Sequence, residues 1–306
     1  VTGWVQDVLT YTMLAFMIFV GIYAIARFGV SPKQLIETGG AVNVFQAAAV
    51  GVFLYVGFEW VTPLAEEVTD SSMIAKGMMW AIGLLCLTYV LFITGMTAVV
   101  PKDTLAVSKI PHIIVGNALF GKMGIYAFVV MSCLASLTSY NAGFLNFSRF
   151  MYAMGRDNVL PRTFARISDR YATPWFAILF AFTVSLAISV YCHVTGKYMR
   201  LIMVAAAIEL IIYAVMALSV IRLRFTMRDT PRPFRVPGGI AVPIVGVIFF
   251  TVLLVGIYAE DIAVLFTMAG VFVVCLLYTF VVPPYLRAAY EKRMSERVPR
   301  RRRPGG

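Results

Sequence analysis

Eight apolar runs, at residues 8–28, 43–62, 77–99, 123–148, 174–194, 199–221, 240–258 and 262–284, constrain this chain more than any other feature. A helix rises 1.5 Å per residue, so about 20 apolar residues cross a hydrocarbon core roughly 30 Å thick. Lipid offers backbone amides and carbonyls no partner, and only helices or closed barrels satisfy them all. Runs of this length without strand-like alternation predict an all-α, polytopic membrane helix bundle. Composition agrees: 60% of residues are hydrophobic and 13% charged, against about a quarter charged in soluble domains.

The net charge of +11 follows membrane topology and gives no reason to expect nucleic acid. With eight spans both ends lie on one side, and that side collects 19 of the 26 basic residues: Lys76, five arginines between Arg149 and Arg170, five between Arg222 and Arg235, and eight from Arg287 onward. The positive-inside bias makes it the cytoplasm, predicting a multi-pass protein of the cell membrane with both termini of this chain cytoplasmic. Residues 1–285 form the transmembrane domain and 286–306 a basic tail positioned to meet anionic headgroups of the lipid bilayer. The loop 100–122 is partly apolar, which predicts a short helix over the outer face. The loop 222–240, rich in Arg, Pro and Gly, predicts a rigid cytoplasmic link. Cys86, Cys133, Cys192 and Cys275 sit singly in apolar runs and are expected to pack in the core.

The second run, VFQAAAVGVFLYVGFEWVTPLAEEV, places Gly57, Glu59 and Pro63 near mid-depth. Proline lacks a backbone donor and glycine weakens a helix. A carboxylate at that depth costs several kcal/mol unless it faces a cavity or partner. Together they predict a break around residues 57–62. A broken membrane helix leaves free carbonyls and amides that bind ions and zwitterions, so the carbonyls of Tyr55, Val56 and Gly57 are expected to face a substrate ammonium. Glu59 is a candidate protonation switch; the competing role is to hold the break together by hydrogen bonds. Glu209, in AAAIELIIYAV, is a second intramembrane acid with three open roles: favouring a cationic substrate, relaying protons, or pairing with a buried polar group.

Other motifs carry less. GNALFGKM fits a phosphate loop up to Lys122, but Met123 replaces the hydroxyl that would hold magnesium and no strand precedes it. Asn146-Phe147-Ser148 is a glycosylation triplet on the predicted cytoplasmic side. His112 and His193 are single and far apart, so no metal site is expected. No cofactor is expected, and neither HExxH nor GxSxG nominates an enzyme. A channel would need a continuous polar path, where the sequence offers one broken helix and isolated acids.

Three blocks resemble the amino acid/polyamine/organocation permease family: GFEWVTPLAEEV, then SYNAGFLNFSRFMYAMGRDNVLPRTFARISDRYATPWFAI, then RPFRVPGG. They stand in the family's order, and the resemblance covers nearly the whole chain. It implies a leucine-transporter-type inverted-repeat fold and a secondary transporter of small molecules, amino acids or polyamines. The eight spans align with the family's fifth to twelfth helices, so the first repeat is expected to be mostly missing and the second to cover about 43–222. A chain beginning at Val1 is expected not to transport alone. By the same resemblance Phe53 takes the position of an aromatic gate, and Gly57 and Glu59 match the break. Met13 stands near where some proton-coupled relatives carry lysine. Ser136, Thr138 and Ser139 are candidate sodium ligands by their hydroxyls, although such groups more often bond their own helix.

Overall fold

The computed structural model describes residues 2–30, 40–68, 70, 72–230, 234, 236 and 238–297. Lys33, Arg232, Arg235, Arg300 to Arg303 and half of the RPFRVPGG block lie outside them. The described residues form helices α1 (Thr2–Phe28), α2 (Ala41–Gly51), α3 (Ser72–Val99), α4 (Lys102–Val107), α5 (Pro111–Arg156), α6 (Trp175–Thr195), α7 (Tyr198–Thr226), α8 (Ala241–Glu260) and α9 (Ile262–Arg297). Two 3-10 segments, Val52–Tyr55 and Phe58–Glu67, follow α2, and a third, Arg162–Ala165, precedes α6.

Eight helical segments among the described residues are long and apolar enough to cross a membrane, one for each apolar run. The chain is an all-α, multi-pass membrane bundle. Trp80 and Phe280 remain 80% and 76% exposed, a state that water penalises and lipid does not. The same physics corrects the cysteine expectation. Cys86, Cys133 and Cys275 are exposed and Cys192 half-buried, all with free thiols. In lipid a small apolar side chain gains little by turning inward, so its position in a run does not tell core from surface.

The helices also outrun their apolar stretches. Lys76 lies inside α3, Arg149 and Arg156 inside α5, and Arg222 and Arg224 inside α7. The 100–122 segment is more helical than expected, holding α4 and the first arm of α5. That arm joins the rest of α5 through a kink at Gly121 (φ 59°, ψ −142°), a backbone region open mainly to glycine. The chain doubles back there closely enough that a Cβ on Gly116 would lie 2.6 Å from the Phe128 ring, and one on Gly124 would run into the Gly116 carbonyl.

The chain divides into two compact units. The first comprises Val1–Gly143 with Ala205–Glu260. Its core is Val20, Ala24, Val100, Val115, Leu119 and Phe128, built where α1 packs on α3. Close approach requires Gly21 and Gly95: a Cβ on Gly21 would lie 2.7 Å from the Leu91 carbonyl, and one on Gly95 2.9 Å from the Cα of Gly21. Small residues let backbones meet where lipid supplies no hydrophobic drive between helices. In the same unit α2 packs on α8, with Ala49 fully buried and facing Gly256.

The second unit comprises Phe144–Val204 with Asp261–Gly306. Here α5 ends in a Schellman arrangement: Val159 N–H donates to Met154 O (2.9 Å), Asn158 N–H to Gly155 O (3.4 Å), and Asn158 adopts φ 57°. Asparagine tolerates this left-handed conformation after glycine itself. The Tyr278 hydroxyl on α9 then donates to Val159 O (2.8 Å), and Phe164 packs edge-on against Phe176 and Phe180. Asp261 opens α9, accepting from Ala263 N–H (2.9 Å) and from Arg200 Nε on α7 (2.8 Å).

Candidate functional site

The second span divides at a tight turn. Val56 is extended (φ −59°, ψ 133°) and Gly57 left-handed (φ 115°, ψ −15°), which together make a type II turn whose third position needs glycine. The break therefore begins at Val56, one residue before the expected 57–62 window. Pro63 lies within the 3-10 segment that follows. Ten residues is long for a 3-10 helix, a form seldom sustained beyond four and frequent at functional hinges.

Glu59 closes the turn on itself. Gly57 N–H donates to both of its carboxylate oxygens, each at 3.1 Å, and the Tyr213 hydroxyl on α7 donates to Oε2 at 3.2 Å. The amide exposed by the break is thus capped by the chain's own carboxylate. A hydrogen bond to an ionised group contributes about 1.5–3 kcal/mol, so the bonding role expected as the alternative for Glu59 is present. Glu209 stands one helical turn before Tyr213 on α7, half-buried and within Coulombic reach of Glu59 and Tyr213. The Tyr213 ring rests near Phe58 (5.9 Å) and Phe250 of α8 (5.6 Å).

The carbonyls around the turn are partly engaged. Phe53 O accepts Val56 N–H (3.3 Å) and Gly57 O accepts Trp60 N–H (3.1 Å). Leu54 O accepts the Tyr89 hydroxyl (3.0 Å), and the Tyr55 and Tyr89 rings meet edge-on at 5.6 Å. A carbonyl oxygen has two lone pairs, so one helix bond leaves Gly57 O able to accept a second donor. Phe53, just before the turn, is 38% exposed. Trp60 comes from the other side of the turn, its ring 3.5 Å from where a Cβ on Gly143 would sit. Reading the sequence missed three contributors: Tyr213, Tyr89 and Trp60. Tyr213 carried a signal, four residues after Glu209 on one helix face.

Two of the three hydroxyls considered as sodium ligands, those of Ser136 and Thr138, bond within their own helix. Thr138 donates to Ala135 O (2.9 Å) and Ser136 to Ser132 O (3.0 Å). Met13 Sδ lies 3.9 Å from the Thr138 hydroxyl. Gln6 on α1 bridges Asn141 Nδ2 (3.1 Å) and Thr138 O (3.4 Å) on α5, so polar side chains at this seam satisfy one another.

The arrangement combines two carboxylates, a phenol and unevenly satisfied backbone at one helix break. It can exchange protons and receive a cationic group.

A family profile described as "Amino acid permease" matches residues 1–282. The chain is 27% identical over 216 residues to the branched-chain amino acid permease BcaP of Bacillus subtilis, covering 68% of this chain and 44% of that protein. It is 28% identical over 262 residues to the human large neutral amino acids transporter small subunit 2, covering 82% and 48%. Cationic amino acid transporter 7, chloroplastic, of Arabidopsis thaliana is 27% identical over 202 residues, covering 60% and 34%. The chain spans about half the length, or less, of these curated relatives. A match along nearly the whole chain, together with a bundle of eight spans, makes it a member of the amino acid permease family.

Proposed function

We propose that this chain forms part of a secondary active transporter that moves amino acids or related organic cations across the cell membrane by alternating access, coupled to protons or to exchange. The observation that carries the reading is the turn at Val56–Gly57 with Glu59, Glu209 and Tyr213 gathered on it. Broken helices with half-helix ends at the site are how many secondary transporters hold substrate and coupling ion. The relatives' names, which include branched-chain, large neutral and cationic amino acids, support an amino-acid substrate.

In this reading the carbonyls of Tyr55, Val56 and Gly57 receive the substrate ammonium and Phe53 covers it. Glu59 and Glu209 hold or pass the proton. Glu59 is the switch because its carboxylate caps Gly57: protonation weakens that cap and frees the amide, altering the turn. The second inverted repeat covers about 43–222, and the arginine-rich segments and both ends of the chain face the cytoplasm.

The test is uptake into proteoliposomes by the protein expressed from its full reading frame, using labelled amino acids and polyamines with and without an imposed proton gradient. Saturable uptake, competed by an unlabelled congener, supports a carrier. Flux that rises linearly with concentration and shows no competition indicates a channel and overturns the reading.

A further inference from the structure

The first half of the broken span ends at Tyr55, and its last carbonyls need donors that the helix no longer supplies. In a continued 3-10 turn the Leu54 carbonyl would take the Gly57 amide. That amide is turned toward the Glu59 carboxylate instead, 3.1 Å from each oxygen. The replacement donor comes from another span: the Tyr89 hydroxyl on α3 reaches Leu54 O at 3.0 Å, across 35 residues of sequence. Away from water a carbonyl left without a donor is costly, which gives the replacement a physical reason. The Tyr89 ring also meets the Tyr55 ring edge-on at 5.6 Å, so one side chain grips two consecutive residues before the turn. Beyond the turn, the segment Phe58–Glu67 packs on α3 as well. The helix α3 is in turn seated on α1 through the contact of Gly95 with Gly21, which makes it a firm support. We infer that Tyr89 is a positioning residue of the transport site: its hydroxyl replaces the lost helix donor on Leu54, anchors the carbonyl end of the break to α3, and so fixes the direction of the Tyr55 and Val56 carbonyls that follow. This rests on the transporter reading above, in which those carbonyls receive the substrate ammonium.

The test compares wild type with Tyr89→Phe, which keeps the ring and removes only the hydroxyl, in the protein expressed from its full reading frame. Uptake of a labelled amino acid into proteoliposomes gives KM and kcat. Hydrogen exchange read by mass spectrometry in lipid nanodiscs reports the turn without requiring transport. Tyr89→Phe is expected to raise KM about fivefold, the worth of one hydrogen bond between neutral groups, with kcat within about twofold of wild type. Amides in peptides covering 52–60 are expected to exchange faster, and those of α1 as in wild type. A merely structural tyrosine would lower the melting temperature without moving KM, and that result overturns the inference. Unchanged exchange across 52–60 overturns it too, because the hydroxyl then holds nothing at the turn. Absence of saturable uptake by wild type counts against the transporter reading instead, and the exchange comparison then decides whether Tyr89 positions the turn.

Discussion

Glu59 sits where one side chain controls backbone geometry. Its carboxylate accepts the Gly57 amide with both oxygens and the Tyr213 hydroxyl with one, so it ties the turn to α7. Tyr213→Phe removes one donor and little volume. We expect it to lower uptake about tenfold, in line with one hydrogen bond to a charged group, and to move the pH profile of transport; a merely structural phenol would leave that profile in place. The acids were legible because a carboxylate is conspicuous in an apolar run. Tyr89 was not: its hydroxyl reaches the Leu54 carbonyl 35 residues away, and no local pattern encodes a contact that tertiary packing creates. The cysteines misled for the opposite reason, since lipid and core accept them equally.

Among the elements, the pairing of α1 with α3 depends on two glycines in van der Waals contact. Gly95→Val would drive side-chain atoms into Gly21 and Ala24. Overpacking of this kind costs about 1–3 kcal/mol, and the expected outcome is a lower melting temperature in scanning fluorimetry with the helix content of the folded state kept. A second prediction concerns the start of α9. The Arg200 guanidinium, and then the Ala263 amide, hold the Asp261 carboxyl below the usual carboxylate range. A depressed value stabilises the fold above the unfolded value near 3.9, and the contribution disappears as pH falls through the lower folded value. Asp261→Asn should therefore melt lower than wild type by a constant margin from pH 7 to 5, with the margin shrinking below about pH 4; a margin unchanged at pH 3 would remove the ion pair from the account. Element positions were largely readable from the apolar runs. Their ends were not, because helices continue as amphipathic turns beyond the lipid-compatible stretch, as at Lys76 and Arg224. The short helix expected in the 100–122 loop is present as the arm of α5 before the Gly121 kink, whereas α4 was not foreseen.

For the whole molecule, eight apolar runs were sufficient to predict a multi-pass helical bundle, since lipid leaves so few alternatives. They carry no information on which helices touch, because apolar faces read alike whether they meet lipid or protein; the two-unit division could not have been read from them. The broken span shows the converse. Glycine, acid and proline within seven residues disagree with a continuous helix, and such local conflicts mark function. The central claim is that Glu59 links a proton to substrate movement at this break. Its most direct test is amino-acid uptake by wild type and Glu59→Gln in proteoliposomes, each with and without an inward proton gradient. The account predicts that the gradient accelerates wild-type uptake, and that Glu59→Gln transports about tenfold more slowly without responding to it. Uptake by Glu59→Gln at the wild-type rate, with the gradient response intact, would contradict it.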